Sequence, residues 1–452
     1  MNPDTPVAPC RRATARRRLA CLLLAGCSVT HGLPALAAGP SAADGAKAHA
    51  APSHHRPRAP RDGLIVIAHR GASGYRPEHT LEAYRLAIRQ GADFIEPDLV
   101  ATRDGVLIAR HENEISGTTD VARHPEFADR RTTKRVDGQL VTGWFTEDFT
   151  LAEIRRLRAR ERIPGIRPDN ARFDGLYTIP TFAEILRLAA RESRGHRRIG
   201  VYPETKHPTY FAREGRRLDG SPIGISLGQA LVETLVEEGF TDPRRVFIQS
   251  FEFENLIELH EAIMPAAGVD LPLVQLYDDL DTAVPYDLAY NVAQGRDLAT
   301  VYGELGSKVE GGLQAGTPYG AFATPAVLGW MKANYASGVG PWKGNLLPRA
   351  PLAPPVDGDG DGEAEVVSRS TARVHPMLGD ALAQGLLVHP YTLRAEEGYL
   401  AQAPNGNVAT ALAEAVQLYG LGVNGFFIDQ PDVGVAARDI FREINRPLIE
   451  GR

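Results

Sequence analysis

From Leu64 onward, apolar runs of strand length alternate with amphipathic segments of helix length. That alternation points to a parallel sheet covered by helices. The expected strands are Leu64–Ala68, Phe94–Val100, Val106–Arg110, Ile199–Glu204, Val246–Ser250, Leu273–Tyr277, Leu386–Tyr391 and Gly425–Asp429. Helices are expected at Leu81–Gln90, Phe182–Glu192, Leu227–Glu238, Asn255–Ile263, Ala409–Tyr419 and Val433–Glu443. Eight such strands predict a closed TIM (β/α)8 barrel. A doubly wound open sheet is the alternative, but no Gly-x-Gly-x-x-Gly follows a strand to favour its nucleotide-binding form.

Two stretches interrupt the rhythm. Residues 113–180 are polar and arginine-rich and read as a small inserted subdomain after the third strand. Residues 278–385, with Gly and Pro throughout, read as a second long insertion after the sixth. Within it, "DGDGDG" at Asp357 to Gly362 resembles the start of a calcium loop. That loop requires Glu six positions after its glycine, and Ser368 stands there, so the segment reads as a flexible acidic loop.

The N-terminal region has a different character. Five arginines between Arg11 and Arg18 precede a short apolar run, Leu19 to Gly26, which reads as a secretory signal over residues 1–38. The run is too short to span a bilayer, which takes about 20 apolar residues. Two exits are open: cleavage after "ALA" at Ala35 to Ala37, or a lipoprotein box "LAGC" that would acylate Cys27 as a lipid anchor. "RRRLA" also resembles a twin-arginine signal. All three cysteines, Cys10, Cys21 and Cys27, lie in this leader. The mature chain therefore has no disulfide and no thiol nucleophile. A linker over 39–63, including His54-His55, separates the leader from the barrel at 64–445, and 446–452 form a tail. The net charge of −6 offers no basic surplus for nucleic acid.

In a barrel of this kind the chemistry sits at the C-terminal ends of the strands. Those ends carry His69-Arg70, Glu96 and Asp98, His111, Glu204 and Lys206, Gln249, His389 with Tyr391, and Asp429. Glu96 and Asp98 are two apart, so both project to one side of a strand; Glu204 and Lys206 repeat the spacing. Three converging carboxylates repel unless a cation joins them, and an all-oxygen set suits calcium or magnesium. Pairing with the abundant arginines is the structural alternative. His69 and His111 titrate near neutrality and suit a general acid and base. Arg70 and Lys206 add fixed positive charge of the kind a phosphoryl group needs.

These motifs bring a family into view. "AHRGASGYRPEHTLEAYRLAIRQGADFIEPDLVATRDGVLIARHE", "VYPETKHP", "VFIQSFE", "LVHPYTLR" and "GVNGFFIDQPD" together resemble the glycerophosphodiester phosphodiesterases, most closely the exported, periplasmic bacterial type. The resemblance covers roughly residues 64 to 445. It implies a metal-dependent enzyme of glycerol and lipid metabolism. Such an enzyme cleaves small glycerophosphodiesters, such as glycerophosphocholine, to sn-glycerol 3-phosphate and an alcohol. By the same resemblance Glu96, Asp98 and Glu204 hold the metal, with calcium favoured. His69 and His111 form the acid/base pair, and Arg70 and Lys206 hold the phosphate, with Gln249 and Tyr391 as further substrate-binding residues. His79 stands where the family commonly has Asn, Glu112 where it has Asp, and Tyr391 where it often has Trp. Two alternatives share the scaffold: a phospholipase D-like enzyme on intact lipids, with Phe322, Leu328, Trp330, Met331 and Trp342 lining an apolar groove, and a non-catalytic phosphate-binding surface protein.

Overall fold

The computed structural model describes residues 63–195 and 197–446. The signal segment, the Cys27 anchor, the His54-His55 pair and nearly all of the linker and tail lie outside the described residues.

Eight parallel strands close into a barrel. They are β1 (Ile65–His69), β2 (Phe94–Glu96 and Asp98–Ala101, either side of Pro97) and β3 (Gly200–Val201 and Glu204–Thr205). Then follow β4 (Ile248–Ser250), β5 (Leu273–Tyr277), β6 (Ala336–Pro341), β7 (Leu387–Val388) and β8 (Gly425–Ile428). Each strand pairs with the next. The ring shuts where β1 pairs with β8 and where Leu393 N–H, beyond β7, donates to Phe427 O. The (β/α)8 architecture is therefore the one the alternation predicts.

Strand membership differs from the expectation in two places. Val106–Arg110 was expected as the third barrel strand; Leu107–Ala109 instead folds back antiparallel on Asp98–Ala101, outside the ring. The first insertion thus lies between β2 and β3. The missing barrel strand is β6, inside the segment expected to be one long insertion. Its sequence, Ala-Ser-Gly-Val-Gly-Pro, holds a single large apolar residue and reads as a loop. The glycines are there for close approach: a Cβ on Gly338 would sit 2.8 Å from Leu387 O on the neighbouring strand.

The helices follow their strands. The first, α1 (Leu81–Gln90), is capped by Thr80, whose hydroxyl accepts from Ala83 N–H. Thr181 and Glu184 form a reciprocal capping box on α2 (Phe182–Glu192). The last, α3 (Pro431–Ile444), packs against β1 and α1. Among the described residues no helix is long and apolar enough to cross a membrane. Phe322, Leu328 and Met331 are buried in the core, so they line no open groove.

Strand periodicity places the chemistry. Along β1, Val66 and Ala68 face the helices, while Ile65 and Ile67 join Phe94, Tyr202, Phe247, Val274 and Phe427 inside the ring. Successive side chains alternate faces, so the residue two beyond each plug residue also points inward, one layer nearer the mouth. Two beyond Ile67 is His69; beyond Phe94, Glu96; beyond Tyr202, Glu204; beyond Phe247, Gln249; beyond Phe427, Asp429.

Candidate active site

Strand register brings that layer together: His69 lies beside Glu96, Asp98 beside Glu204, and Glu204 beside Gln249. Glu96, Asp98 and Glu204 are all buried, and each offers an oxygen within 4.8 Å of the others'. Burial first, and the charges of Asp98 and Glu204 next, hold the Glu96 carboxyl well above its usual range. Glu204 is pushed up to about 8, by burial and by Asp98, against the pull of Lys206. Asp98 goes the other way. Burial would raise it, but Lys206, His111 and His79 hold it well below the carboxylate range. Gln249 Oε1 is buried without a hydrogen-bond partner, while its Nε2 lies 3.4 Å from Glu96 Oε1. An acidic, buried, all-oxygen cluster with an orphaned carbonyl beside it fits a hard divalent cation.

Around the cluster stand two cations. The Arg70 backbone N–H donates to Glu96 Oε2 at 2.7 Å, its Nε lies 3.4 Å from Asp98 Oδ2, and its Nη1 donates to Glu78 Oε2 at 3.2 Å. Arg70 holds φ at 58°, a left-handed backbone rare for a branched cationic side chain, and Gly71 follows at 85°. A Cβ on Gly71 would collide with Ala83 at 2.8 Å, so this turn presses α1 directly against the strand end. Lys206 Nζ donates to Glu204 Oε1 at 2.7 Å and lies 4.0 Å from Asp98 Oδ1. Burial disfavours its charge, but Glu204 and Asp98 outweigh burial and raise its pKa.

The two histidines have matching environments. His69 Nδ1 lies 2.6 Å from Asp429 Oδ1, and Arg70 Nε donates to its Nε2 at 3.2 Å. His111 Nδ1 lies 2.5 Å from Glu112 Oε1, and its Nε2 is 3.1 Å from Lys206 Nζ. Guanidinium and ammonium groups only donate, so each Nε2 accepts and each Nδ1 carries the proton, held on its carboxylate. Burial, then Arg70, lowers the His69 pKa; burial, then Arg70 and Lys206, lowers His111 to about 4. Both imidazoles are thus neutral at pH 7, each with an Nε2 lone pair turned toward one of the two cations.

Of the residues named from sequence, His69, Arg70, Glu96, Asp98, His111, Glu204, Lys206 and Gln249 meet here. Tyr391 lies further along the mouth. Its hydroxyl donates to Tyr277 O, and its ring stands at 87° to Phe251, which packs beneath Lys206 Nζ. His389 is not at the mouth at all. It sits in the barrel plug, Nδ1 2.9 Å from Tyr202 Oη, and burial drives its pKa to about 3.

Several participants were given no site role from sequence, although His79 stood out there as a departure from the family pattern. His79 bridges Tyr84 Oη and Asp98 Oδ2, both at 2.8 Å. Glu78 links Arg70 to Arg162, which is 84 residues away along the chain. Arg167 and Arg394 both hold Asp429 Oδ2. Arg162 and Arg167 lie in the arginine-rich insertion, where neither spacing nor periodicity separates them from surface arginines.

Residues 69–309 match the family model described as the glycerophosphoryl diester phosphodiesterase family. The chain is 32% identical over 373 residues to the glycerophosphodiester phosphodiesterase GDPD6 of Arabidopsis thaliana, covering 80% of this chain and 82% of that protein. It is 28% identical over 388 residues to a glycerophosphodiester phosphodiesterase of Haemophilus influenzae, covering 82% and 88%. A Bacillus subtilis glycerophosphodiester phosphodiesterase is 33% identical over 245 residues, covering 52% of this chain and 69% of that one.

Proposed function

The chain belongs to the glycerophosphoryl diester phosphodiesterase family and hydrolyses glycerophosphodiesters, and from that premise we propose a metal-dependent acid/base mechanism carried by His69 and His111. The observation that carries this reading is the symmetry of the two imidazoles. Each Nδ1 is anchored on a carboxylate, and each Nε2 is turned toward a fixed cation.

Arg70 and Lys206 hold the phosphate between the two Nε2 atoms. One imidazole takes the proton of the attacking hydroxyl at its Nε2. The other, neutral in the free enzyme, takes up a proton at its Nε2 once the phosphate's negative charge draws off the cation beside it, and gives that proton to the oxygen that leaves phosphorus. The carboxylate behind each ring fixes its tautomer and stabilises the imidazolium when it forms. Positioned groups of this kind contribute about 10²–10⁴-fold each. Glu96, Asp98 and Glu204 would hold a divalent cation, calcium in preference to magnesium, and the unpartnered Gln249 Oε1 offers a further oxygen. When bound it supplies Lewis-acid polarisation of the phosphoryl oxygens and neutralises developing charge. Tyr391 closes one side of the substrate site.

The substrates are deacylated diesters such as glycerophosphocholine, released as sn-glycerol 3-phosphate and the alcohol. The burial of Phe322, Leu328 and Met331 supports a small substrate over an intact lipid. The arginine-rich leader supports action outside the cytoplasm, in the manner of the periplasmic type or as a secreted protein or lipoprotein. The mass of the mature N-terminus would distinguish cleavage after Ala37 from acylation at Cys27.

The test is product analysis on glycerophosphocholine and on phosphatidylcholine, each with calcium and with excess EDTA. The reading requires turnover of the first alone, abolished by EDTA. Comparable kcat/KM on both substrates would favour the lipase alternative.

A further inference from the structure

The carboxylates behind both imidazoles are themselves held, and one short stretch of the inserted segment reaches both, sharing Asp429 Oδ2 with Arg394, which lies 2.9 Å from it. Arg162 Nε and Nη2 grip Glu78 Oε2 and Oε1 at 2.9 and 2.6 Å, and the same Nη2 lies 2.7 Å from Glu112 Oε2. The other oxygen of Glu112 takes His111 Nδ1. Five residues on, Arg167 Nη2 lies 2.5 Å from Asp429 Oδ2, opposite the oxygen that takes His69 Nδ1. Arg167 Nε donates to Glu396 at 2.5 Å and its Nη1 to Ser73 O at 3.0 Å; the Ser73 hydroxyl in turn donates to His69 O. Asn170 Nδ2 adds a second donor to Ser73 O. Between the two arginines, Pro164, Gly165 and Ile166 are exposed, so the stretch touches the barrel mouth at its two ends and bulges into solvent between them.

We propose that Arg162 and Arg167 are positioning residues that together fix both imidazoles, Arg162 through Glu112 and Arg167 through Asp429. The inserted segment then works as one clamp across two strand ends that are far apart in sequence. This rests on the reading of His69 and His111 as the acid/base pair. A guanidinium presents its donors in a rigid plane, so it fixes the plane and direction of a carboxylate where an ammonium would fix only a distance. A carboxylate so fixed fixes the ring it holds. Partners that orient a functional histidine in this way are worth about 10–100-fold in activity. Arg162 has one further effect: through Glu78 it also steadies Arg70, and that part acts on substrate binding.

The experiment is a set of double-mutant cycles in the full chain with calcium, reading kcat and KM separately on glycerophosphocholine. Arg167→Gln should lower kcat about 10–100-fold with KM nearly unchanged. Arg162→Gln should lower kcat comparably and also raise KM. In a His69→Ala background Arg167→Gln should cost no more than about twofold, while Arg162→Gln keeps its full effect on kcat; in His111→Ala the pattern reverses. A merely structural role would lower activity alike in both backgrounds. Where a glutamine variant fails to fold, the lysine variant takes its place in the cycle. Unchanged kcat in either arginine variant, or equal losses in both backgrounds, overturns the clamp while leaving the acid/base reading intact. Wild-type kcat in His69→Ala or His111→Ala overturns that reading, and the clamp with it.

Discussion

Among the described residues, two groups of three carboxylates bring their oxygens within 4.8 Å of one another, and they differ in almost everything else. Glu96, Asp98 and Glu204 come from two neighbouring strands, meet only in the closed barrel, and are buried. Asp357, Asp359 and Asp361 alternate along one exposed loop, at the tip of the hairpin formed by Arg349–Val356 and Val366–Ser370. The loop set looks after itself. Asp357 accepts from Gly360 N–H and Gly362 N–H, Asp359 from Asp361 N–H, and Asp361 from Glu363 N–H. Those backbone donors, with water around them, hold Asp357 below its usual pKa. The buried set has far less of it: Arg70 N–H donates to Glu96 Oε2, and the other partners are side chains. Lys206 and Arg70 supply two positive charges against three negative ones, and Glu96 and Glu204 are driven upward. Crowding of carboxylates is therefore a weak indicator of a cation. Crowding in a buried site is a strong one, because each like-charged pair then costs about 4 kcal/mol at an effective dielectric of about 20, against about 1 in water.

The largest expected contrast lies in turnover. His69→Ala and His111→Ala, which flank the buried set, should each lower kcat by about 10²–10⁴, with the barrel intact because both groups sit at its mouth. Wild-type kcat in either would remove that residue from the mechanism.

A second contrast is in the sign of the pH dependence. In chelated protein, Glu204 binds its proton more tightly folded than unfolded. Stability is therefore complete below about pH 4.5 and is lost as pH climbs toward about 8. Asp357 has the opposite sign: its contribution is present above its unfolded pKa of about 4 and lost only as pH falls below that. Denaturant titrations of metal-free protein between pH 5 and 8 should show stability falling by a few kcal/mol, about 1.4 per pKa unit. Glu204→Gln should reduce that slope, leaving the share that Glu96 contributes with the same sign. A slope unchanged in the variant would mean that the strain at the cluster lies elsewhere.

The smallest effect belongs to the loop. Replacing Asp357, Asp359 and Asp361 together by Asn should leave kcat unchanged and barely move the melting temperature, as is usual for surface changes. A loss of calcium-dependent stability in that triple variant would erase the distinction between the two clusters.

Much of this was legible in sequence because the barrel reads its own period. Ile65, Ile67 and His69 alternate inward, and the same count from Phe94, Tyr202 and Phe247 reaches Glu96, Glu204 and Gln249, so strand ends and site arrive together. The exposed acidic loop stands where the Asp-Gly repeat of 357–362 put it. Other elements were hidden for identifiable reasons. The sixth strand is built from small residues that its neighbours' close approach demands, and these imitate a loop. Leu107–Ala109 has a strand's composition, but composition does not reveal antiparallel pairing outside the ring. His389 shares the strand-end pattern of His69 yet is drawn into the plug by Tyr202. Arg162 and Arg167 reach the site from an insertion whose tertiary placement leaves no periodic trace.

The most direct test of the central claim, that the buried carboxylates and not the exposed ones hold a required divalent cation, is a melting curve with parallel activity in calcium and in excess EDTA. It is run on wild type, on Asp98→Ala and on the triple loop variant. The account predicts that EDTA abolishes activity and lowers the melting temperature of wild type and of the loop variant alike, and that calcium restores both by binding the native state. Asp98→Ala should be inactive and should show no calcium-dependent shift. Full wild-type activity in excess chelator, or a full calcium shift in Asp98→Ala, would contradict the account and leave Glu96, Asp98 and Glu204 as structural ion-pair partners of Arg70 and Lys206.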